Sequence, residues 1–259
     1  MEVASKYISK VLENSNGKYM LDPGCGSAIL SLGIAKQFEP KIRTKVEKII
    51  AIDVNQKAIE YAQENAKLNQ LEDLYEFVNE PYSINSVEPQ SAILIAHNVP
   101  YHPHNPADGD KILTSCSGGS DGQKWLRVFL EASALHLAQN GMIYGITKCW
   151  GNENPEFFDY VGDYFPTASI YWHEIYPPSN NYEFLSFANR GQNQDWVEVN
   201  SKKYSKMHHG VYIIIQDDKG GNIKTFRDKL KFTHNGGPEW HKEVHRHIQD
   251  GVVADSTKI

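Results

Sequence analysis

The sequence predicts an α/β fold, a mostly parallel sheet with helices on both faces. Three observations lead there. Apolar runs of strand length alternate with stretches of helical periodicity through the first five strands of the chain. Two of those runs, Ile49-Ile50-Ala51-Ile52 and Ala92-Ile93-Leu94-Ile95-Ala96, lack the polar alternation of a half-exposed strand. They read as strands buried on both faces, as in a parallel sheet. Finally, a Gly-rich turn, Asp22-Pro23-Gly24-Cys25-Gly26-Ser27-Ala28, joins the first strand to the helix that follows it.

The elements follow in order. Val3, Tyr7, Ile8, Val11 and Leu12 give residues 3–14 helical spacing, and Asn16-Gly17 stops that helix. Tyr19-Met20-Leu21 is a short strand ending at Asp22. Residues 27–38 form a helix in which Ile29, Leu30, Leu32, Gly33, Ile34 and Ala35 are mostly buried. A strand over 46–54 leads to Asn55, an N-cap for a helix through about residue 69. Strands over 74–78 and 92–96 precede a long polar loop, 99–118. A helix over 121–139 is followed by Gly141 and a fifth strand, 142–147. A short helix at 155–165, an alternating strand at 168–176 stopped by Pro177-Pro178, and a strand at 211–216 complete the pattern. The stretch 179–208 reads as a polar insertion spotted with aromatic residues. No linker is evident, so residues 1–218 are expected as one domain and 219–259 as a C-terminal tail.

Composition narrows the function classes. A chain of 259 residues with 40% hydrophobic content can build a sizeable core. No apolar run approaches the ~18 residues of a membrane span. Met1-Glu2-Val3-Ala4-Ser5-Lys6 lacks the basic and apolar regions of a secretory signal. Cys25, Cys116 and Cys149 lie far apart and in no metal-ligand spacing, as expected for free thiols in a reducing cytoplasm. A net charge of −6 argues against a protein that grips long nucleic acid. Basic patches at Lys202-Lys203 with Lys206, and from Lys224 to Lys231, read as solvated surface. The sequence gives no oligomeric state.

A strand delivering Asp22, then Gly24 and Gly26, then a helix is a nucleotide-loop arrangement, because glycine lets the backbone turn tightly and a ligand come close. In dinucleotide sites a pyrophosphate sits on the helix N-terminus. Asp22 would repel one, but it can accept hydrogen bonds from an ammonium group such as a methionyl amine. Asp53, at the end of the second strand, can accept both hydroxyls of a ribose. Asn98-Val99-Pro100-Tyr101 ends the fourth strand. The Asn98 side-chain oxygen and a main-chain carbonyl near Val99 or Pro100 can accept the two hydrogens of an NH2 group. Pro100 has no N–H and stiffens that backbone. Tyr101 can stack on a planar amide or base. Holding both hydrogens turns the nitrogen lone pair outward, so a transfer there needs mainly alignment and proximity.

These residues resemble those of class I S-adenosylmethionine-dependent methyltransferases. More narrowly, they are similar to the HemK/PrmC type, which methylates the glutamine amide of release factors. The family turn, Asp-x-Gly-x-Gly-Ser-Gly, stands here as Asp22 to Ala28, with Ala28 in place of the last glycine. The family's Asn-Pro-Pro-Tyr stands as Asn98-Val99-Pro100-Tyr101, and its Gly-Gly-x-Asp-Gly as Gly118-Gly119-Ser120-Asp121-Gly122. Val99 replaces the first proline; an Asn-x-Pro-Tyr of this kind also occurs in rRNA adenine dimethyltransferases. Residues 1–18, ahead of the first strand, are too few for the HemK-type N-terminal helical domain, so docking of a release factor is not expected of them.

The resemblance implies a Rossmann-like class I fold, a mostly parallel seven-stranded sheet with a terminal antiparallel hairpin. It implies S-adenosylmethionine as cofactor, with Asp22, Gly24 and Gly26 on the methionine part, Asp53 on the ribose, Asn79 or Glu80 near the adenine, and Asn98 also counted among the cofactor-contacting residues. Asn98, Pro100 and Tyr101 would hold the acceptor NH2. The expected acceptor is a small molecule or a peptide or protein side chain. An adenine methyltransferase on RNA or DNA is the alternative, which calls for a basic groove beside Tyr101. A non-catalytic binding subunit is another, which calls for loss of cofactor binding. The insertion's Tyr182, Phe184, Phe187, Arg190 and Trp196 can close over a substrate or pack among themselves. His97, His102 and His104 flank the tetrapeptide as candidates to take up a proton or touch the acceptor, and Lys148 and Trp150 end the fifth strand as candidate pocket residues. No metal site is expected: His241 and His245 are spaced so that they could share a helix face, with His247 nearby, and His208-His209 lies elsewhere, which gives no pattern of convergent ligands.

Overall fold

The computed structural model describes residues 2–101, 117–119, 121–175, 179–180, 203–217 and 223–226. In chain order the elements are α1 Glu2–Asn14, β1 Tyr19–Pro23, α2 Ile29–Gln37, α3 Glu39–Lys45, β2 Lys48–Ile52, α4 Gln56–Leu68, β3 Tyr75–Val78 and β4 Ala92–His97. They continue as α5 Lys124–His136, β5 Leu137–Gly151, α6 Phe157–Tyr164, β6 Ser169–Glu174, β7 Ser179–Asn180, β8 Lys206–Ile215 and β9 Ile223–Phe226. One sheet runs in the order β3-β2-β1-β4-β5-β8-β6-β9, with β7 paired to the start of β8. From β3 to β5 every pairing is parallel, and β8 runs antiparallel between β5 and β6. This is the strand order of the Rossmann-like class I methyltransferase fold, with the terminal antiparallel hairpin in β6 and β8. Two short strands, β7 and β9, are added to the seven that were expected.

Two cores flank the sheet. On one face, Ala4, Ile8, Val11 and Leu12 of α1 pack with Leu32 and Ile34 of α2, Ile42 of α3 and Ile59 and Ala62 of α4. That α1 spacing is the apolar stripe of an amphipathic helix. On the other face, Leu126, Phe129 and Leu130 of α5 and Phe157 and Val161 of α6 cover Leu21, Ile95, Ile143 and Ile214. Beneath this core, the His136 Nε2–H donates to the Ile84 carbonyl at 3.1 Å. Nδ1 is then the acceptor for the Tyr82 hydroxyl at 2.9 Å, which fixes the approach to β4.

Three expectations are corrected. The helix expected over 27–38 stands as α2, with Phe38 as its C-cap, and an unforeseen α3 follows, with Pro40 in its first turn where no N–H is needed. Ile29, expected to turn inward, is 78% exposed. β5 starts directly after α5 and not at Gly141: its register against β4 slips between Ala92 and Leu94, and Asn140 takes up the bend at φ 57°. β8 begins at Lys206, five residues before the predicted strand, because its buried His208 looks like loop sequence. His208 is fully buried, and Glu174 is 3% exposed. The two meet at 2.7 Å through Nδ1 and Oε1. On the other side of the ring, the His208 Nε2–H donates to the Asn152 carbonyl at 3.2 Å. A partner from β6 thus makes a buried histidine tolerable in β8.

Removing one member of a buried pair strands the other. Glu174→Ala is expected to cost about 3–5 kcal/mol of unfolding free energy in a urea titration. A loss below about 1 kcal/mol would show that the pair does not hold β6 to β8.

Candidate functional site

β1 lies between β2 and β4. The chain leaves β1 toward β2 and β3, then returns on the other side to β4 and β5. At such a reversal the connections diverge and leave a crevice at the carboxyl ends of the strands. Asp22 arrives there on β1 and Asn98 follows the end of β4, on strands in direct register through Leu21 and Ile95. Adjacent strands lie about 4.8 Å apart, so these two functional ends are neighbours by construction.

The turn after β1 is held by the end of β2. The Gly24 and Cys25 N–H groups donate to the Ile52 carbonyl at 2.8 and 3.0 Å. The Gly26 N–H donates to Asp53 Oδ2 at 2.9 Å, and the Asn55 N–H to Asp53 Oδ1 at 2.8 Å. Asp53 is the residue expected on the ribose hydroxyls. It also clamps the glycine turn, and each oxygen keeps a further lone pair for a ligand. Gly24 and Gly26 sit at φ 66° and 55°, in the left-handed region that favours glycine. Asn65 of α4 donates to the Ser27 carbonyl at 3.0 Å and ties down the far side of the turn.

Asp22 is 2% exposed. Ser31, in the first turn of α2, lies close enough to favour the charged carboxylate, while its own hydroxyl donates to the Ala28 carbonyl at 3.2 Å; Asp22 Oδ2 has no partner. Burial, with a smaller push from Asp53, raises its pKa to about 7 against the lowering effect of Ser31. A dry carboxylate oxygen beside a helix N-terminus and glycine backbone suits a ligand carrying an ammonium group. At the end of β3, Asn79 is exposed and its Nδ2 donates to the Asp53 carbonyl at 2.9 Å; Glu80 beside it is exposed.

On the β4 side, the Asn98 side chain is exposed while Val99 is buried and anchors the turn. Pro100 and Tyr101 are half-buried. The tips of β5 and β8 surround Tyr101: the Lys148 ammonium lies 5.9 Å from its ring centre, and the His209 ring lies at 6.1 Å. The Gly118 to Gly122 element fastens α5. Asp121 accepts from the Gln123 N–H at 2.9 Å and from Arg127 at 2.7 Å, and Gln123 Nε2 donates to the Lys148 carbonyl at 2.5 Å.

The structure corrects two candidates. His97 does not face the site: it is fully buried, and burial lowers its pKa to about 3, which removes it as a proton acceptor near neutrality. Trp150 is buried with Met207 and Tyr204 in a small separate core. His209, placed elsewhere on sequence grounds, stands beside Tyr101 because β8 pairs Lys148 with His209. Gln123, Phe129 and Tyr212 gave no sequence signal, since each occupies an ordinary-looking core or loop position. His102, His104, Tyr182, Phe184, Phe187, Arg190, Trp196, His241, His245 and His247 lie outside the described residues. Among the described residues, no helix is long and apolar enough to cross a membrane.

The family model described as ribosomal protein L11 methyltransferase (PrmA) matches residues 5–99. A Methanocaldococcus jannaschii protein, provisionally named protein N5-glutamine methyltransferase, is 28% identical over 142 residues, 52% of this chain and 64% of that protein. The release factor glutamine methyltransferase of Aquifex aeolicus is 32% identical over 130 residues, 46% of this chain and 42% of that protein. The chain therefore spans less than two thirds of the length of either relative. Among solved structures, the geranyl diphosphate C-methyltransferase of Streptomyces coelicolor is 9% identical with a TM-score of 0.43, covering 84% of this chain and 79% of that one.

Two outcomes follow from the turn. Asp22 keeps its proton in the folded state up to about pH 7, whereas the unfolded chain loses it near pH 4. The folded state therefore binds more protons in that window, and stability falls as pH rises from about 4 to 7, by at most about 1.4 kcal/mol per unit. Asp22→Asn is expected to gain on the wild type over that window in urea titrations and to run parallel above it; parallel profiles throughout would contradict the assignment. Ala28, buried at φ 58°, carries a left-handed penalty of about 1–2 kcal/mol against about 0.8 kcal/mol for burying its methyl. Ala28→Gly is expected to be neutral to stabilising by up to about 1 kcal/mol, and a clear loss would contradict that balance.

Proposed function

We propose that this chain is an S-adenosylmethionine-dependent N-methyltransferase acting on an amide or other NH2 nitrogen. A glutamine side chain of a protein is the acceptor that its named relatives favour. The observation that carries the reading is the unpartnered Asp22 Oδ2 one strand away from the exposed Asn98, at the point where the strand order reverses. An ammonium requirement and an NH2-accepting group are thereby set side by side, as the transfer of a methyl group from a methionyl sulfonium to nitrogen demands.

In this reading Asp22 accepts hydrogen bonds from the methionyl amino group, and the backbone at Gly24 and Gly26 lies against the methionine part. Asp53 uses its remaining lone pairs on the ribose hydroxyls, and Asn79 and Glu80 line the adenine side. When bound, the cofactor supplies an electrophilic methyl group whose transfer leaves a neutral thioether. An amide nitrogen is a weak nucleophile because its lone pair is delocalised into the carbonyl. Asn98 Oδ1 and a main-chain carbonyl at Val99 or Pro100 accept both N–H hydrogens, hold the nitrogen still and turn its lone pair toward the methyl carbon. Tyr101 stacks on the amide plane. As the N–C bond forms and the S–C bond breaks, the nitrogen gives up one of its two hydrogens as a proton, passed to water at the exposed mouth of the site beside Asn98, so that the transferred methyl group replaces it. Alignment of this kind supplies much of the barrier reduction that an enzyme needs without a strong base.

The test is methyl-labelled S-adenosylmethionine with a lysate separated into small-molecule, protein and nucleic-acid fractions. Label is expected in protein, and Asn98→Ala should lower it by at least about a hundredfold while cofactor affinity stays within about threefold. Label in nucleic acid would overturn the acceptor, and absence of cofactor binding would overturn the enzyme.

A further inference from the structure

His97, Gly145 and Tyr212 are register partners across β4, β5 and β8. Gly145 has no side chain, and a Cβ there would overlap both the ring and the hydroxyl of Tyr212. That vacancy lets the Tyr212 ring lie across β5 and bring its hydroxyl 2.8 Å from His97 Nε2. Both side chains are fully buried. Phe157 packs on Tyr212 at 4.5 Å and on Trp172, the next member of the row on β6, at 5.2 Å, so the tyrosine ring is wedged in place.

On its other side His97 meets Phe129 edge to face, with ring centres 5.8 Å apart. The same Phe129 ring lies 3.6 Å from where a Cβ on Gly24 would sit. A continuous contact path thus runs from the glycine turn through Phe129 and His97 to Tyr212. Its place in the sheet matters. Pairing of β4 with β1 ends at Ile95, while pairing with β5 continues to His97. His97 is therefore the last residue of β4, held from one side only, and the next residue is Asn98. A leucine or valine would fill this core position without desolvating an imidazole, and the buried ring takes no part in methyl transfer.

We propose that His97 and Tyr212 are a positioning pair: their hydrogen bond across Gly145 fixes the end of β4 and so sets where Asn98 stands relative to the glycine turn. The proposal rests on the reading of Asn98 as the acceptor-holding group. Neither side chain touches the substrate. Displacements near 1 Å at a reacting centre cost on the order of a hundredfold in rate, so a rigid strand end is worth a buried polar pair.

The experiment compares wild type, Tyr212→Phe and the double variant His97→Leu/Tyr212→Phe. The single variant leaves an imidazole without its partner, and the double variant removes both polar groups, which restores apolar consistency to the core. Four quantities are read: the thermal midpoint, S-adenosylmethionine affinity by calorimetry, label transfer to the protein fraction, and the side-chain NH2 resonances of Asn98 in 15N-labelled protein, assigned by their loss in Asn98→Asp. The pair predicts that Tyr212→Phe lowers the midpoint and the double variant recovers most of it. In both variants cofactor affinity should stay within about twofold, transfer should fall at least about tenfold, and the Asn98 resonances should shift or broaden. A double variant that recovers transfer along with its midpoint, or Asn98 resonances unchanged in both variants, would overturn the proposal. A wild type that binds cofactor and transfers no label would speak against the acceptor reading, and the resonances would still decide whether the pair positions Asn98.

Discussion

The adjacency of β1 and β4 is the constraint on which the site depends. Because the chain winds from β1 to one side and returns on the other, the connections after these two strands part company and leave their carboxyl ends open. Asp22 and Asn98 lie far apart in the chain, yet the sheet register brings the strands that carry them side by side. No loop has to find this geometry. It follows from two buried strands whose apolar residues on both faces leave them no other place than the centre of the sheet.

The candidate site residues are costly in a way that neighbouring residues offset. Asp22 is a buried carboxyl, and the nearby Ser31 compensates it only partly. Asp53 compensates in another direction: by accepting the Gly26 N–H it holds the turn in a left-handed conformation that would otherwise be one of several. One carboxylate is thus left in need of a cation while the other organises the backbone around it. The two carboxylates at the ends of β1 and β2 belong to one device, and the pKa raised at Asp22, chiefly by burial and only slightly by Asp53, marks how dry its end of that device is.

The sequence made legible those parts of the site that only certain residue types can fill. The glycine turn, Asp53, the Asn55 cap and the Asn98 tetrapeptide are positions where backbone conformation or hydrogen bonding restricts the choice, and they lie at the strand and helix ends expected for them. The parts that stayed hidden depend on partners far away in sequence. The start of β8 could not be seen because His208 is acceptable in a core only when Glu174 on β6 faces it. His97 looked like a reactive neighbour of the tetrapeptide, because nothing local says that Tyr212, 115 residues later, takes its ring nitrogen. Gly145 resembles any small residue in a strand until Tyr212 is found lying over it. Ile29 was misplaced for a simpler reason: the end of a short helix beside a ligand loop does not obey the inward periodicity of its middle.

The central claim is that a dry carboxylate at the end of β1 and an exposed asparagine beyond β4 face the two reacting partners. A crystal structure of the chain with S-adenosylmethionine bound tests it most directly. The account predicts the methionyl amino group on Asp22 Oδ2, the ribose hydroxyls on Asp53, and the methyl group pointing at the space beside Asn98 and Tyr101. A cofactor bound elsewhere, or one bound here with Asp22 still unpartnered and its methyl turned away from Asn98, would contradict it.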